Sequence, residues 1–172
     1  MEFFLKTDRL GLQKITFNHQ DSIKSVLQDE EIMFYSASGI KNDAEVKDYI
    51  IQTMSDYQDG YGQYAAYELA SGDFIGLAGY FSFIFEEHQD LEINYRLLRQ
   101  YRDRGYASEL AKYLAEYALT DLAYRRVFGL VDKRNLASKR VLEKAGMRAL
   151  GEYNYHNRET LLYCREKEQN AI

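Results

Sequence analysis

Apolar positions recur along most of the chain, and the period of the recurrence changes from segment to segment. The longest helical period spans 105–122, where apolar residues return every three or four positions. Shorter segments with the same period predict three more helices, at 23–27, 42–60 and 135–146. The pattern therefore predicts about four helices.

Polar and small residues mark the ends of two of these helices. Asn42 and Asp43 are alternative caps for the helix at 42–60, and Gly60 follows its last turn. The helix at 135–146 begins at Asn135 and stops at Gly146. In the helix at 42–60, the predicted apolar stripe consists of Val46, Tyr49, Ile50 and Met54.

Apolar runs with alternating or continuous character predict seven strands. An opening strand lies within 3–15, and Ser71-Gly72-Asp73 joins the second and third strands as a tight hairpin. We expect the second, third and fourth strands to form an antiparallel meander. The six later strands are predicted at 61–69, 74–85, 90–98, 125–132, 147–156 and 159–166. The order of elements predicts a single α+β domain over 1–172.

Charge is distributed unevenly in this acidic chain of net charge −5. The segment 96–148 contains 13 Lys and Arg against 6 Asp and Glu, so it carries +7 and the remaining residues carry −12. A basic segment within an acidic chain indicates that one part faces an anion, whereas solvated helix faces are the alternative. The overall charge argues against nucleic acid as a partner.

Composition restricts the location and the chemistry. No apolar run is long enough to span a membrane, and one cysteine cannot form an internal disulfide, so we expect a cytoplasmic protein without a membrane partner. The histidines His19, His88 and His156 lack the spacing of metal ligands, so no metal is expected. A homodimer is a further partner that an exposed edge strand or the tyrosine-rich surface would support.

The segment "QYRDRGYASELA" joins the strand that ends near Leu98 to the long helix. A helix N-terminus presents unpaired N–H groups and binds phosphate readily. Gly105 has no side chain and permits a positive φ and a close approach to the backbone. Successive N–H groups from Arg102 to Ser108 are therefore predicted to form an anion-holding nest.

The pattern Arg102-x-x-Gly105-x-Ala107 resembles the pyrophosphate-binding loop of the GCN5-related N-acetyltransferase (GNAT) family. Three longer segments resemble the branch that includes the ribosomal-protein amino-terminal acetyltransferases: "TDRLGLQKI", "LEINYRLLRQYRDRGYASELAKYL" and "VDKRNLASKRVLEKAGM". The resemblance covers nearly the whole chain. It implies a three-layer GNAT-like fold, with a mixed, mostly antiparallel seven-stranded sheet and a splayed central strand pair.

The resemblance also implies acetyl-CoA as co-substrate and a set of residues that bind it. The strand residues Tyr95, Arg96 and Leu97 line the thioester and the pantetheine arm. Asn135 and Ser138 contact the pantetheine from the other side, and Arg140 reaches toward the nucleotide. The diphosphate is assigned to Arg102, Asp103, Arg104, Gly105, Tyr106, Ala107 and Ser108.

Glu92 is the candidate general base, acting through a water, because the branch has a similarly placed glutamate. A strand-end glutamate that is solvated or paired with an arginine is the alternative. Many members have a tyrosine as general acid where this chain has Leu142, so Ser138 or a water is expected to protonate the thiolate. Further candidate donors are Tyr153, Tyr155 and Tyr163.

Asp103 stands where glycine is common in the family. We expect its carboxylate to turn away from the diphosphate, toward Arg104, and to weaken coenzyme binding. The resemblance thus implies an N-acetyltransferase whose acceptor is a primary amine, either a protein N-terminus or a small molecule. A coenzyme A-binding module with little catalysis is the alternative.

Overall fold

A computed structural model describes residues 1–168 as one mixed sheet of eight strands flanked by helices on both faces. The strands are β1 (Leu5–Lys6), β2 (Leu10–Lys14), β3 (Gln63–Glu68), β4 (Phe74–Phe85), β5 (His88–Leu97), β6 (Arg126–Asp132), β7 (Arg148–Tyr155) and β8 (Arg158–Glu166). The α-helices are α1 (Gln20–Leu27), α2 (Asp43–Asp56), α3 (Tyr106–Thr120) and α4 (Leu136–Lys144). The predicted α+β class is confirmed.

The strand order is β1-β2-β3-β4-β5-β6-β8-β7. Each neighbouring pair is antiparallel except β5 and β6, which run parallel. The predicted meander of β3, β4 and β5 is confirmed by the registers of these strands. The helical crossover through α3 connects the two parallel strands, as a parallel connection requires.

The sheet has one strand more than the seven predicted, because the opening segment folds back on itself. The backbone N–H of Thr7 donates to the carbonyl of Leu10 at 2.9 Å, and Leu5 then pairs with Leu12. The turn contains neither glycine nor proline. Thr7 is also held by Glu109 on α3, which lies far away in the sequence, so the local pattern could not indicate this turn.

The helices form two layers on opposite faces of the sheet. Ala65 belongs to a buried cluster with residues of α1 and α2, whereas its neighbour Ala66 belongs to a cluster with residues of α3. Because successive side chains of a strand point to opposite faces, the two clusters lie on opposite sides. Within residues 1–168, no helix combines the length and the apolar character needed to cross a membrane.

The predictions for the cap and for the apolar stripe of α2 had different outcomes. Asn42, not Asp43, is the N-cap, and it exchanges hydrogen bonds with Glu45 at 2.8 and 2.9 Å. Met54 was wrongly assigned to the buried stripe, since it is 40% exposed and Thr53 is buried in its place. The helix ends in a short 3-10 turn that stops at Gly60, as predicted, and Gly60 has a positive φ.

The central strand pair is splayed. β5 and β6 are paired at two register positions, Leu91 with Val127 and Glu92 with Phe128. Beyond Glu92 the strands no longer pair with each other, although β5 stays paired with β4 as far as Leu97. A gap therefore opens in the middle of the sheet on the carboxyl side of Glu92.

Candidate functional site

A cleft of about 740 Å³ lies where the splayed strands, the loop before α3 and the start of α4 meet. It contains every residue predicted to bind the coenzyme except Arg104. Its predicted members are Tyr95, Arg96, Leu97, Arg102, Asp103, Gly105, Tyr106, Ala107, Ser108, Asn135, Ser138 and Arg140. The structure thus brings together residues that three separate sequence segments supply.

The loop before α3 presents backbone N–H groups without acceptors. Gly105 is the N-cap of α3 with φ 78°, and Asp103 also has a positive φ, of 59°. Within residues 1–168, no acceptor bonds the consecutive N–H groups from Asp103 to Ser108. Alternation of left-handed and ordinary backbone turns such groups toward a common centre, which is the geometry of an anion nest.

The β1–β2 turn holds this loop from behind. The Arg9 side chain donates to Glu109 Oε2 at 2.6 Å and to the carbonyl of Arg104 at 2.9 Å, and its guanidinium lies over the Tyr106 ring. Thr7 donates to the same glutamate at 2.5 Å. These bonds use the outward side of the loop, so its N–H groups stay directed toward the cleft. Sequence analysis missed Arg9 and Glu109 as positioning residues.

Two arginines at the mouth of the cleft are paired with the segment between α1 and α2. Arg102 donates to Glu31 at 2.9 Å, and Arg99 donates to Asp29 at 2.8 Å and contacts Glu31 at 3.0 Å. Glu31 itself lines the cleft. Glu31 therefore neutralises Arg102, a basic side chain of the cleft that is suited to binding a polyanion.

Arg104 is the predicted residue that the structure does not bring into the cleft. Its guanidinium lies 5.2 Å from the centroid of the Tyr101 ring and 3.7 Å from Glu68. Only its backbone N–H faces the nest. The expected pairing of Asp103 with Arg104 is wrong, because Arg104 has these other partners and Asp103 is exposed beside the cleft.

Glu92 lies at the last paired position of the splayed strands and is 8% exposed. Burial raises the pKa of its carboxyl group to about 7, and the positive charge of Arg96 opposes the rise. No side chain or backbone group within residues 1–168 donates a hydrogen bond or forms an ion pair to it. A buried carboxylate that has a pKa near 7 and free lone pairs can accept a proton through a water.

The residues after Glu92 divide between the two faces of β5. Leu97 is buried with α3, and Tyr95 packs against the same cluster. Arg96 points to the opposite face, toward Ser36 and Asn94. The backbone of these three residues borders the gap beside β6.

Tyr95 and Ser138 meet across the gap. The Tyr95 hydroxyl lies 2.8 Å from Ser138 Oγ, and burial raises the pKa of Tyr95 while the bond to Ser138 opposes the rise. Asn135 caps α4 by accepting from the Ser138 N–H at 3.1 Å. Sequence analysis had assigned the two hydroxyls to the same ligand but had not paired them.

Arg140 lies on the side of α4 that lines the cleft, together with Lys144 one turn later. Lys144 was not predicted, although its spacing of four from Arg140 places both on one helix face. Other lining residues that sequence analysis missed are Ile32, Phe34, Tyr35, Tyr101, Ala137 and Val141. Ile32, Phe34 and Tyr35 come from a segment without a recognisable motif, whereas the other three lie within the segments that carry the resemblance.

The alternative proton donors differ in position. Leu142 is 2% exposed and packs against Gly129, so it is a core residue. Tyr163 donates to Glu143 at 3.3 Å, and Tyr153 packs on Phe83. Of the three tyrosines, Tyr155 is the one affected by the charge of Glu92. Burial raises the pKa of Tyr155, and the negative charge of Glu92 adds to the rise.

The arrangement combines an anion nest, a gap that can receive an extended chain, and a buried carboxylate at the inner end of the gap. Such a cleft can hold a polyanion on a flexible arm and move a proton near its tip. No group of three or more His, Cys, Asp or Glu side chains within residues 1–168 is arranged to hold a metal ion.

The sequence matches a family profile and several curated relatives. The family described as "Acetyltransferase (GNAT) domain" matches residues 9–148. YkkB of Bacillus subtilis (strain 168), an uncharacterized protein, is 30% identical over 146 residues, which cover 83% of this chain and 84% of YkkB. YoaA of the same organism, an uncharacterized N-acetyltransferase, is 29% identical over 160 residues, covering 89% of each chain.

Solved structures share the fold. A GNAT-family acetyltransferase from Bacillus anthracis has a TM-score of 0.82 at 23% identity and covers 97% of this chain and 100% of its own. RimL, a ribosomal L7/L12 α-N-protein acetyltransferase solved with coenzyme A, has a TM-score of 0.80 at 16% identity, with coverages of 96% and 98%. Spermidine N-acetyltransferase from Vibrio cholerae, solved with coenzyme A and spermine, scores 0.77 at 16% identity, with coverages of 94% and 97%.

Proposed function

Since this chain belongs to the GNAT acetyltransferase family and is an acetyl-CoA-dependent N-acetyltransferase, we propose that it transfers the acetyl group directly to a primary amine with Glu92 as general base. The observation that carries the proposal is the cleft that joins the free N–H groups of the loop to Tyr95, in the unpaired part of β5 that follows Glu92. We also propose that residues 1–172 form a single domain. Family membership favours an enzyme over the alternative of a coenzyme A-binding module.

The proposed coenzyme site follows the cleft. The diphosphate accepts hydrogen bonds from the N–H groups between Asp103 and Ser108, and Arg102 adds a positive charge once its bond to Glu31 opens. The pantetheine arm enters the gap along the backbone of Tyr95 to Leu97, in the manner of an added strand. Arg140 and Lys144 on α4 face the nucleotide end.

The proposed reaction is a single displacement. The neutral amine nitrogen attacks the thioester carbonyl, so the new C–N bond forms and the C–S bond breaks. One amine proton passes through a water to Glu92, and the departing thiolate takes a proton from the Ser138 and Tyr95 pair. Glu92 then releases its proton to solvent and the hydroxyl pair regains one from solvent, so the site returns to its starting state. A lysine-type amine of pKa about 10.4 needs roughly 5 kcal/mol to become neutral near pH 7, whereas an α-amino group needs only about 1 kcal/mol.

The hydroxyl pair predicts a graded loss of activity. We expect Ser138→Ala to lower kcat about tenfold, because Tyr95 remains to donate the proton, and the double replacement with Tyr95→Phe to lower it about 100-fold. Single-turnover rates at saturating acetyl-CoA and amine would measure this. The Tyr163→Phe variant, whose hydroxyl bonds to Glu143 outside the cleft, serves as the matched control. Undiminished chemistry in the double variant would assign the proton to a water.

Asp103 predicts a gain in coenzyme affinity. We expect Asp103→Gly to bind acetyl-CoA about threefold to tenfold more tightly, because it removes a negative charge beside the diphosphate and places glycine at a positive φ. Asp103→Asn removes the charge alone and tolerates the same backbone, so it separates the two effects. Isothermal titration of all three proteins measures the dissociation constants. Weaker binding by both variants would show that the carboxylate assists the coenzyme.

The acceptors of the structural neighbours are amines of different classes. RimL acts on a protein N-terminus, and the Vibrio cholerae enzyme was solved with the polyamine spermine. The proposal for this chain includes both a protein N-terminus and a small amine.

The test of the proposed function has two steps. Calorimetric titration with acetyl-CoA measures the coenzyme site directly, and release of the free thiol from acetyl-CoA then reports turnover across a panel of amines. Micromolar binding with amine-dependent thiol release is the expected result. Absence of binding would exclude the proposed cleft, and binding without turnover of any amine would count against the proposed chemistry.

A further inference from the structure

Arg96 differs from the other arginines that are not fully exposed. Within residues 1–168, those other arginines each form an ion pair with a carboxylate, but Arg96 forms none. The paired ones are Arg102 with Glu31, Arg126 with Asp90, Arg158 with Asp132, and Arg165 with Glu116. A shielded cation without a direct ion pair is costly, so its retention calls for a reason.

The hydrogen bonds of Arg96 go to neutral groups. Its Nη1 donates to Asn94 Oδ1 at 2.7 Å, and its Nη2 donates to Ser36 Oγ at 3.3 Å. A guanidinium has five N–H donors, so these two bonds leave donors unused. Burial lowers the pKa of Arg96, while the charge of Glu92 and the nearby Tyr49 hydroxyl oppose this.

Arg96 is accessible to a ligand on the face where an amine would approach Glu92. The side chains of Glu92, Asn94 and Arg96 alternate with buried residues that pack on α3, so they share the opposite face of β5. Arg96 also lines the cleft. A ligand that reaches Glu92 on this face therefore comes within range of the guanidinium.

A second donor in the same layer lacks an acceptor. Among buried side-chain atoms of the described residues, Gln63 Nε2 alone has no hydrogen-bond partner. Gln63 pairs with Gly79, which in turn pairs with Asn94, so it lies in the same row across the sheet. Tyr49 donates to Gln63 Oε1 at 3.5 Å and lies near Arg96. This layer of the sheet thus holds donors on Arg96 and Gln63 that have no acceptor among the described residues.

We propose that Arg96 is a specificity-determining residue that binds a carboxylate of the acceptor, which makes amino-acid-like zwitterions the preferred substrate class. The inference rests on the N-acetyltransferase function proposed above. A planar guanidinium forms two parallel hydrogen bonds with a carboxylate, which would use donors that Asn94 and Ser36 leave free. A polyamine would instead bring further positive charge to an unpaired arginine. Salt screens distant charges more than close ones, so the positive charge of Arg96 beside the acceptor outweighs the net charge of −12 on the residues outside 96–148.

The test compares amines that differ only by a carboxylate. Tyrosine with tyramine and ornithine with putrescine are such pairs, and the ratio of kcat/KM within each pair removes the effect of the side chain. We expect the wild type to prefer the carboxylate partner at least tenfold. Arg96→Gln brings the ratio close to one, and Arg96→Lys keeps part of it. Equal kcat/KM values for both partners in the wild type would overturn the inference and leave the acetyltransferase proposal intact.

A matched arginine variant and a binding measurement complete the design. Arg140→Gln, on the coenzyme side of the cleft, is expected to raise the KM for acetyl-CoA without altering the ratio. If no amine of any pair is acetylated, calorimetry tests the inference by comparing the affinities of N-acetyltyrosine and N-acetyltyramine for the coenzyme A complex. A carboxylate preference that Arg96→Gln removes supports the inference and counts against the proposed chemistry. No preference, or a loss confined to acetyl-CoA affinity, overturns it.

Discussion

Replacement of Glu92 by glutamine is expected to lower kcat for amine acetylation by about 100-fold or more at pH 8, the loss typical of removing a positioned general base. Glutamine keeps the shape of the side chain but cannot accept a proton. Single-turnover measurements with saturating acetyl-CoA separate this loss from any change in binding. An unchanged rate would mean that the amine loses its proton to solvent.

The pH dependence distinguishes a base from a structural glutamate. Because the carboxyl group has a pKa of about 7 and acts in its ionised form, kcat/KM of the wild type rises as the pH increases through about 7. The Glu92→Gln variant lacks this limb and retains only the rise caused by deprotonation of the amine at higher pH. A wild-type profile without a limb near pH 7 would contradict the assignment.

The same substitution has an expected effect on stability with a defined sign. Burial raises the pKa of Glu92 from 4.5 to about 7, so the folded state binds the proton more tightly than the unfolded chain. The carboxylate therefore destabilises the fold progressively as the pH rises above 4.5, and fully above about 7. At about 1.4 kcal/mol per pKa unit, Glu92→Gln gains at most about 3 kcal/mol at pH 8 and little at pH 4. Urea unfolding at both pH values measures it.

Replacement of Gly105 by glutamate is expected to weaken acetyl-CoA binding at least 100-fold. Gly105 caps α3 with φ 78°, and a side chain there would extend from the middle of the free N–H groups. A carboxylate here adds a negative charge close to the diphosphate and competes with Glu109 for Arg9, which lies next to a Cβ at this position. The positive φ adds about 1–2 kcal/mol of backbone cost. Isothermal titration with acetyl-CoA measures the loss.

The control is Gly105→Ala, which carries the backbone cost without the charge. A Cβ at this position lies 3.4 Å from Arg9 Nη2, so the fold accommodates it. We expect the alanine variant to bind within about tenfold of the wild type. If glutamate and alanine weaken binding equally, backbone geometry accounts for the loss and the diphosphate lies elsewhere.

The regular elements were predictable because their causes are local. The apolar period of α3 reflects a helix that is buried on one face, and the continuous apolar run of β6 reflects a strand that is buried on both faces. The loop before α3 was found because glycine at a positive φ and small residues at a helix start have a recognisable pattern. The same local argument failed at Met54, where helix rotation places Thr53 inward instead.

The contacts that shape the site were not predictable, because they join distant segments. Glu109 holds the β1–β2 turn, and Glu31 holds Arg102, across long separations in sequence. A single acidic residue in a helix or loop gives no indication of its partner. The pairing of Tyr95 with Ser138 likewise depends on the distance between β5 and α4, which only the packed sheet determines.

The splayed strands also divide the sheet mechanically. Because β5 and β6 share two paired positions, the strands from β1 to β5 form one unit and the strands β6, β8 and β7 form another, joined by a short seam. Helices α3 and α4 contact each other across this seam. In the proposed complex the pantetheine arm completes the missing part of the ladder, so the coenzyme serves as a removable strand. Release of coenzyme A and binding of the next acetyl-CoA would then remove and restore this added pairing between the two halves of the sheet.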